Sequence, residues 1–308
     1  MKAKIESLKN IASDILEIIL TPVNTKAFPS FHPGAHVEIS FAEGHYKRNY
    51  SLVSDPLDTS YYTLAVLKAQ NGLGGSKWIH ENLSEGMQID CSNPINGFNI
   101  VDGNHHVLLA GGIGVTPILS FARFLKFSKK SFELHYSARS IERMAYRELI
   151  SSQFQDECRL YFDANSSILN LDDVVRNYDE GVHLYVCGPR GMIEAVKNKA
   201  AQKKWRKDHV HYESFGSTQV SVNHFQVELI EAKILFEVHG NDTILDVARK
   251  KGVLMPYGCL RGECGACVVE YRDGEVAHHD VCLSEEERKT KMCPCVSKVK
   301  SSSIKIKF

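Results

Sequence analysis

The chain has 308 residues, 43% of them hydrophobic and 24% charged, enough apolar material for more than one core and two to three domains. Lys+Arg and Asp+Glu both total 37, so there is no basic excess of the kind that marks a nucleic-acid footprint. No apolar run reaches the ~18 residues of a transmembrane helix. The segment Met1-Lys2-Ala3-Lys4-Ile5-Glu6 is charged, so a cytoplasmic protein with neither membrane nor nucleic-acid partner is expected.

In chain order, residues 1–102 read as mainly β. The runs His36-Val37-Glu38-Ile39-Ser40-Phe41 and Tyr61-Tyr62-Thr63-Leu64-Ala65-Val66-Leu67 are broken by turn signals at Pro33-Gly34, Asp55-Pro56 and Asn71-Gly72. Many short strands with such turns predict a small antiparallel barrel or sandwich. Within it, Arg48-Asn49-Tyr50-Ser51 on a strand sets Arg48 and Tyr50 on one face and Ser51 on the other. An arginine can grip a phosphate bidentately and a tyrosine can stack on a flat ring system, although a plain barrel strand has the same composition. Gly74-Gly75-Ser76 then enters a helix, where free N–H groups suit a phosphate; a simple turn is the alternative.

From 103 to 215 strand and helix alternate, which predicts an α/β layer on a parallel sheet. Val107-Leu108-Leu109-Ala110 is a buried strand, followed by the turn Gly111-Gly112-Ile113-Gly114-Val115-Thr116-Pro117. Thr116 suits a helix N-cap and Pro117 the first helical position, and the glycines allow a pyrophosphate to approach the backbone. A later strand ends at Cys187-Gly188-Pro189, before a helix from about Met192 to Lys204. After the second strand, where an acid reading a ribose 2′-hydroxyl is expected, stands Ser137-Ala138-Arg139-Ser140. Arg139 could meet a 2′-phosphate. Residues 216–224 are small and polar and read as a linker. Residues 225–308 return to β, with a short helix expected from Thr243 to Lys251.

Six of the nine cysteines lie between 259 and 295, and in a reducing compartment they read as metal ligands before disulfides. Cys259, Cys264 and Cys267 have the C-x4-C-x2-C spacing of plant-type [2Fe–2S] ligation. Spacing leaves the fourth ligand open among Cys282, Cys293 and Cys295. Zinc is the competing metal, but four-cysteine zinc sites usually come as two C-x2-C knuckles, and one is present.

Residues 225–308 resemble a plant-type ferredoxin domain with a β-grasp fold. Cys295-Val296-Ser297-Lys298 is similar to that family's final ligand segment, which selects Cys295. Arg48-Asn49-Tyr50-Ser51, the Gly-Gly-x-Gly-x-Thr-Pro turn and Cys187-Gly188-Pro189 resemble the ferredoxin-NADP reductase superfamily, and most closely its phthalate dioxygenase reductase branch. The resemblance implies an FMN-binding β-barrel domain (1–102), a Rossmann-like nicotinamide domain (103–215), a linker (216–224) and a ferredoxin domain (225–308).

It further implies that Arg48, Asn49, Tyr50, Ser51, Ala65, Val66, Leu67, Gly74, Gly75 and Ser76 bind the flavin. Leu73 stands where the family often has arginine. Gly111, Gly112, Gly114, Thr116, Pro117, Arg139, Cys187, Gly188 and Pro189 would meet the nicotinamide, with Ser51, Thr116 and Cys187 at the reacting centre and Phe215 near the flavin. FMN is implied over FAD, and NADH over the NADPH that Arg139 would favour.

A hydride carries two electrons and a [2Fe–2S] centre accepts one, so a flavin belongs between them. The expected protein is a monomeric reductase serving a Rieske-type oxygenase component. A cluster-bearing electron carrier, or a reductase with another acceptor, is the alternative. The segment 225–308 holds 13 acidic and 13 basic residues, so strong electrostatic steering of a partner is not expected.

Overall fold

Period-two burial organises the strands of the computed structural model, which describes residues 1–70, 74–162, 168–215, 224–239, 242–260 and 262–308. Asn71, Gly72 and Leu73 lie outside these residues, as does the expected linker except for His224, which opens a strand. The chain divides into two units, Met1–Glu213 and Ser214–Phe308.

In the first unit, β1 (Lys2–Ala12), β2 (Ile15–Pro22), β3 (His36–Phe41), β4 (Tyr46–Ser51), β5 (Tyr62–Leu67) and β6 (Gln88–Cys91) form a sheet in the order β4-β3-β6-β1-β2-β5. Every pairing in it is antiparallel. Helix α1 (Gly75–Asn82) joins β5 to β6. The edge strands β4 and β5 touch, so the sheet curls towards a barrel. Ile5, Ile18, Leu20, Val37, Ile39 and Leu64 fill its interior. Tyr62 stacks on Phe28 at 4.1 Å and donates its hydroxyl to the Pro29 carbonyl, which satisfies the one polar atom that ring would otherwise bury.

The second sheet is parallel: β7 (His105–Gly111), β8 (Ser131–Ala138), β9 (Cys158–Phe162), β10 (Val182–Cys187) and β11 (Val210–Glu213) run in the order β11-β10-β7-β8-β9. Between them lie α2 (Val115–Phe127), α3 (Arg147–Gln153), α4 (Leu171–Val174) and α5 (Arg190–Gln202). Ile118, Leu119, Phe121 and Ala122 of α2 cover one face, and Ile193 and Val196 of α5 the other. Ile15, Val53 and Ala65 of the barrel belong to the same core as α2, so barrel and parallel sheet are packed as one body. The order reverses between β7 and β10. In open α/β sheets, the crevice at the carboxyl ends of such strands is where ligands bind.

The second unit holds β12 (His224–Leu229), β13 (Ile234–His239), α6 (Ile244–Lys250), β14 (Val269–Arg272), β15 (Val276–Ala277), β16 (Lys291–Met292), β17 (Lys298–Val299) and β18 (Ser303–Lys307). Five of these strands form a mixed sheet, β13-β12-β18-β14-β16. Helix α6 covers it with Ile244, Leu245 and Ala248. Thr243 caps this helix, its Oγ accepting from the Asp246 N–H at 3.0 Å. Among the described residues no helix is long and apolar enough to cross a membrane.

The amino ends of β7, β10 and β11 gather His106, His183, His209 and His211, with His183 Nδ1 3.1 Å from His211 Nε2 and His211 stacked on Tyr185 at 4.5 Å. Burial pushes the His211 imidazole down to about 4; His183 and His209 push the same way and Asp208 opposes. An unfolded histidine takes its proton near pH 6.5. The neutral ring therefore contributes stability that is present above about 6.5 and lost as pH falls towards 4. Thermal unfolding should shift to lower temperature on acidification through that window, more steeply in the native chain than in His211→Phe. Parallel curves would show that the cluster is not responsible.

Candidate functional site

Strand β4 half-buries Tyr46, Arg48 and Tyr50 on one face and exposes Lys47 and Asn49 on the other. Arg48 meets the start of α1 there: a Cβ on Gly75 would lie 3.1 Å from Arg48 Nε, and one on Gly74 2.9 Å from Tyr46 Oη. Gly74 caps α1 with φ 82°, a left-handed conformation that glycine adopts without a Cβ penalty. A guanidinium therefore lies against a helix start whose N–H groups have no intrahelical partner, which is the donor set a phosphate takes. Asn49 is not brought to this cradle.

Ser76 Oγ accepts from the Ala69 N–H at 3.1 Å, and His80 Nε2 contacts the Val66 carbonyl at 2.9 Å. Val66 points into the barrel core and Ala65 into the core shared with the parallel sheet, while Leu67 is half-buried. Burial pushes the Tyr50 phenol up, so it stays neutral. Ser51 Oγ is buried with no hydrogen-bond partner. An orphaned buried hydroxyl costs about 1–3 kcal/mol, and this one, next to Tyr50 in the chain but on the strand face opposite Arg48, fits a bound ring with polar edge atoms.

At the carboxyl end of β7, residues Gly112–Gly114 make one tight 3₁₀ turn, and α2 starts at Val115 with Gly114 as its cap residue. This corrects the expected capping. Thr116 is the second helical residue, and its hydroxyl donates to the Ile113 carbonyl at 3.0 Å rather than accepting from a later N–H. Pro117 is the third, still in the first turn, where a missing N–H costs nothing.

This turn presses on the segment after β10. A Cβ on Gly114 would fall 2.2 Å from the Cys187 carbonyl oxygen, and one on Gly111 2.7 Å from Pro189 Cδ and 2.5 Å from Met192 Sδ. Gly112, with φ 54°, has open space where its Cβ would be. Gly111, Gly112, Gly114, Cys187, Gly188 and Pro189 are thus brought together at the strand-order reversal, and β5 packs against the same turn. Cys187 is fully buried. Arg139 is exposed just past β8, one strand away. Phe215 lies in the second unit and is partly exposed.

In the second unit, the Cys259 N–H points to Cys264 Sγ at 3.3 Å, and the Glu263 and Cys264 N–H groups point to Cys259 Sγ at 3.4 Å. Amides aimed at sulfur are what a loop holding thiolates requires. Gly258 and Gly262 have no room for a Cβ, which would lie 2.9 Å from Cys264 Sγ and 2.6 Å from Val296 Cγ2 respectively. Cys267 Sγ and Cys295 Sγ are 3.2 Å apart and both buried. The neighbouring sulfurs of Cys293 and Cys295 hold the Cys267 thiol well below its ordinary range, which favours the thiolate a metal takes. Two sulfur pairs, Cys259 with Cys264 and Cys267 with Cys295, suit two irons with two protein ligands each. Cys293 Sγ instead meets Cys282 Sγ at 3.5 Å.

Sequence reasoning missed Tyr46 and Met192. Tyr46 shares the β4 face with Arg48 and Tyr50, so strand alternation was an available signal. Nothing in the sequence places Met192 on Gly111 and Gly188.

The geometry has counterparts among known proteins. A family model described as 2Fe-2S iron-sulfur cluster binding domain matches residues 228–300, and one described as Dimethylamine monooxygenase subunit DmmA-like, N-terminal domain, matches residues 89–210. The chain is 35% identical over 309 residues to Vanillate O-demethylase oxidoreductase of Pseudomonas sp. (strain HR199 / DSM 7063), covering 97% of each chain. It is 33% identical over 312 residues to Phthalate dioxygenase reductase of Burkholderia cepacia, covering 99% of this chain and 96% of the other. A solved structure of a phthalate dioxygenase reductase, described as a modular structure for electron transfer from pyridine nucleotides to [2Fe–2S], superposes with a TM-score of 0.82. It is 32% identical and covers 100% of this chain and 98% of its own.

Three substitutions test the site. Cys295→Ser should lose most bound iron, whereas Cys293→Ser should retain two irons per chain by metal analysis; the reverse pattern would move the fourth ligand to Cys293. Gly114→Ala should weaken nicotinamide binding at least tenfold by displacing the turn from Cys187, and unchanged affinity in a titration would refute that role.

Proposed function

The chain belongs to the phthalate dioxygenase reductase family of oxidoreductases, and on that premise we propose that it draws a hydride from NADH onto FMN and hands single electrons through its [2Fe–2S] cluster to a Rieske-type oxygenase component. The observation that carries this reading is the placement of Arg48 against the first residue of α1, on a barrel whose strand β5 packs against the glycine turn at the crevice between β7 and β10. A phosphate-bearing ring cofactor and a dinucleotide then have adjacent seats in one rigid unit. When bound, the flavin supplies the conversion between a two-electron donor and a one-electron acceptor.

The chain's own residues do the positioning. Arg48 and the N–H groups at Gly75 and Ser76 hold the FMN phosphate, and Tyr50 offers a neutral ring to stack on the flavin. Ser51, its buried hydroxyl without a partner, would help to orient the bound ring. Gly111, Gly112 and Gly114 admit the pyrophosphate to the backbone, and Thr116, its proton committed to Ile113, keeps acceptor lone pairs for the nicotinamide amide. Cys187, fully buried, walls the other side and excludes water from the reacting face, with Pro189 exposed at its rim. Arg139, exposed at the end of β8, stacks or ion-pairs with the adenosine half. The protein acts as a monomer, and the oxygenase takes electrons from the cluster unit.

Three measurements test the reading. Flavin released from the purified protein should have the mass of FMN, and FAD would contradict it. Anaerobic titration should bleach the flavin with NADH at concentrations at least tenfold below those needed with NADPH. The opposite preference would reassign Arg139 as a 2′-phosphate ligand. Arg48→Ala removes a charge-assisted contact worth about 1.5–3 kcal/mol, so FMN should bind roughly 10- to 100-fold more weakly.

A further inference from the structure

Beside the cluster loop a second pair of thiols faces each other. Cys282 Sγ and Cys293 Sγ are 3.5 Å apart; Cys293 is fully buried and Cys282 partly exposed. Both lie on fixed backbone. The Cys282 and Val281 N–H groups donate to the Gly262 carbonyl at 3.3 and 2.9 Å, and the Cys293 carbonyl accepts from Ser297 N–H at 2.8 Å. Asp280, wholly buried, could complete a three-ligand cation site with these sulfurs. Its carboxylate, however, already accepts from Arg288 Nε at 3.3 Å, Leu283 N–H at 3.2 Å and His278 Nδ1 at 3.3 Å. A cation would have to sit beside the Arg288 guanidinium, so the two thiols are left to each other.

We propose that Cys282 and Cys293 close a reversible disulfide, a peroxide-sensitive site that reports on and adjusts the neighbouring cluster. Hydrogen peroxide is the oxidant. Its O–O bond breaks as the more exposed Cys282 sulfur attacks, giving a sulfenic acid and one water. Cys293 sulfur then attacks Cys282 sulfur, the S–O bond breaks, and a second water leaves. Two thiols thus lose two electrons and two protons, and one peroxide becomes two waters. Disulfide bonding needs sulfurs about 2.05 Å apart, so they must approach by about 1.5 Å.

Closure reaches the cluster because Cys293 stands two residues before Cys295 and its carbonyl accepts from the Val296 and Ser297 N–H groups that follow that ligand, at 3.0 and 2.8 Å. Drawing the Cys293 sulfur towards Cys282 therefore shifts the segment that holds Cys295. Hydrogen bonding and solvent exposure around the ligand sulfurs set a cluster's reduction potential. The inference rests on the cluster assignment and not on the flavin or nicotinamide reading.

The test uses the purified holoprotein, treated with hydrogen peroxide, quenched in acid with N-ethylmaleimide and digested. A linked peptide containing Cys282 and Cys293, two hydrogens lighter and released by dithiothreitol, is expected while iron content holds. An EPR-monitored titration of the oxidised sample should give a shifted cluster potential, a shift absent from Cys282→Ser and Cys282→Ala. Recovery of both residues as maleimide adducts, or of Cys282 as sulfinic acid without a link, would overturn the disulfide. A linked peptide with an unchanged potential would overturn its coupling to the cluster. Iron absent before treatment would overturn the coupling by a different route, the loss of the cluster assignment itself.

Discussion

Where β7 and β10 end, two loops touch through backbone alone. The Cys187 carbonyl sits where any side chain at Gly114 would begin, and Gly111 and Gly188 pack against each other with no Cβ between them. That contact puts a helix start, with its free N–H groups, at the rim of the one crevice the strand order creates. It also sets the position of the barrel, because β5 packs on the same turn and its Ala65 shares a core with α2. Loosening the glycine contact would therefore disturb the crevice and the barrel packed against it together.

The second unit answers a different constraint. Three sulfurs from one nine-residue loop have to converge with a fourth from a distant segment, and a loop this tight cannot carry side chains at Gly258 and Gly262. The result is graded exposure: Cys264 faces solvent while Cys267 and Cys295 are buried. On the proposed function, the exposed Cys264 side of the loop is the natural exit for electrons, while the buried ligands stay protected. The balanced charge of residues 225–308 leaves partner choice to shape more than to long-range attraction.

Much of this was legible in the sequence, for identifiable reasons. Strands betray themselves by alternation, so the run at residues 36–41 coincides with β3, and an apolar run before glycines marked β7. The C-x4-C-x2-C spacing named the metal chemistry because few other sites need it, and the domain match over residues 228–300 agrees. What stayed hidden depends on contacts distant in sequence. No pattern puts Arg48 beside Gly75, or engages the Ser76 hydroxyl with the Ala69 N–H. The capping assignment at Thr116 missed because glycines allow a 3₁₀ turn to begin before the threonine. Cys282 and Cys293 were rivals for a ligand position by spacing; only the fold turns them towards each other.

On the proposed function, reducing equivalents enter as hydride in the first unit and leave one electron at a time through the cluster of the second. Mixing the anaerobic protein with NADH in a stopped-flow spectrometer tests it most directly, beside a sample stripped of flavin that retains its iron. The flavin band should bleach before the cluster band in the complete protein, and the cluster should stay oxidised in the stripped one. Rapid cluster reduction by NADH without flavin would contradict the proposed order.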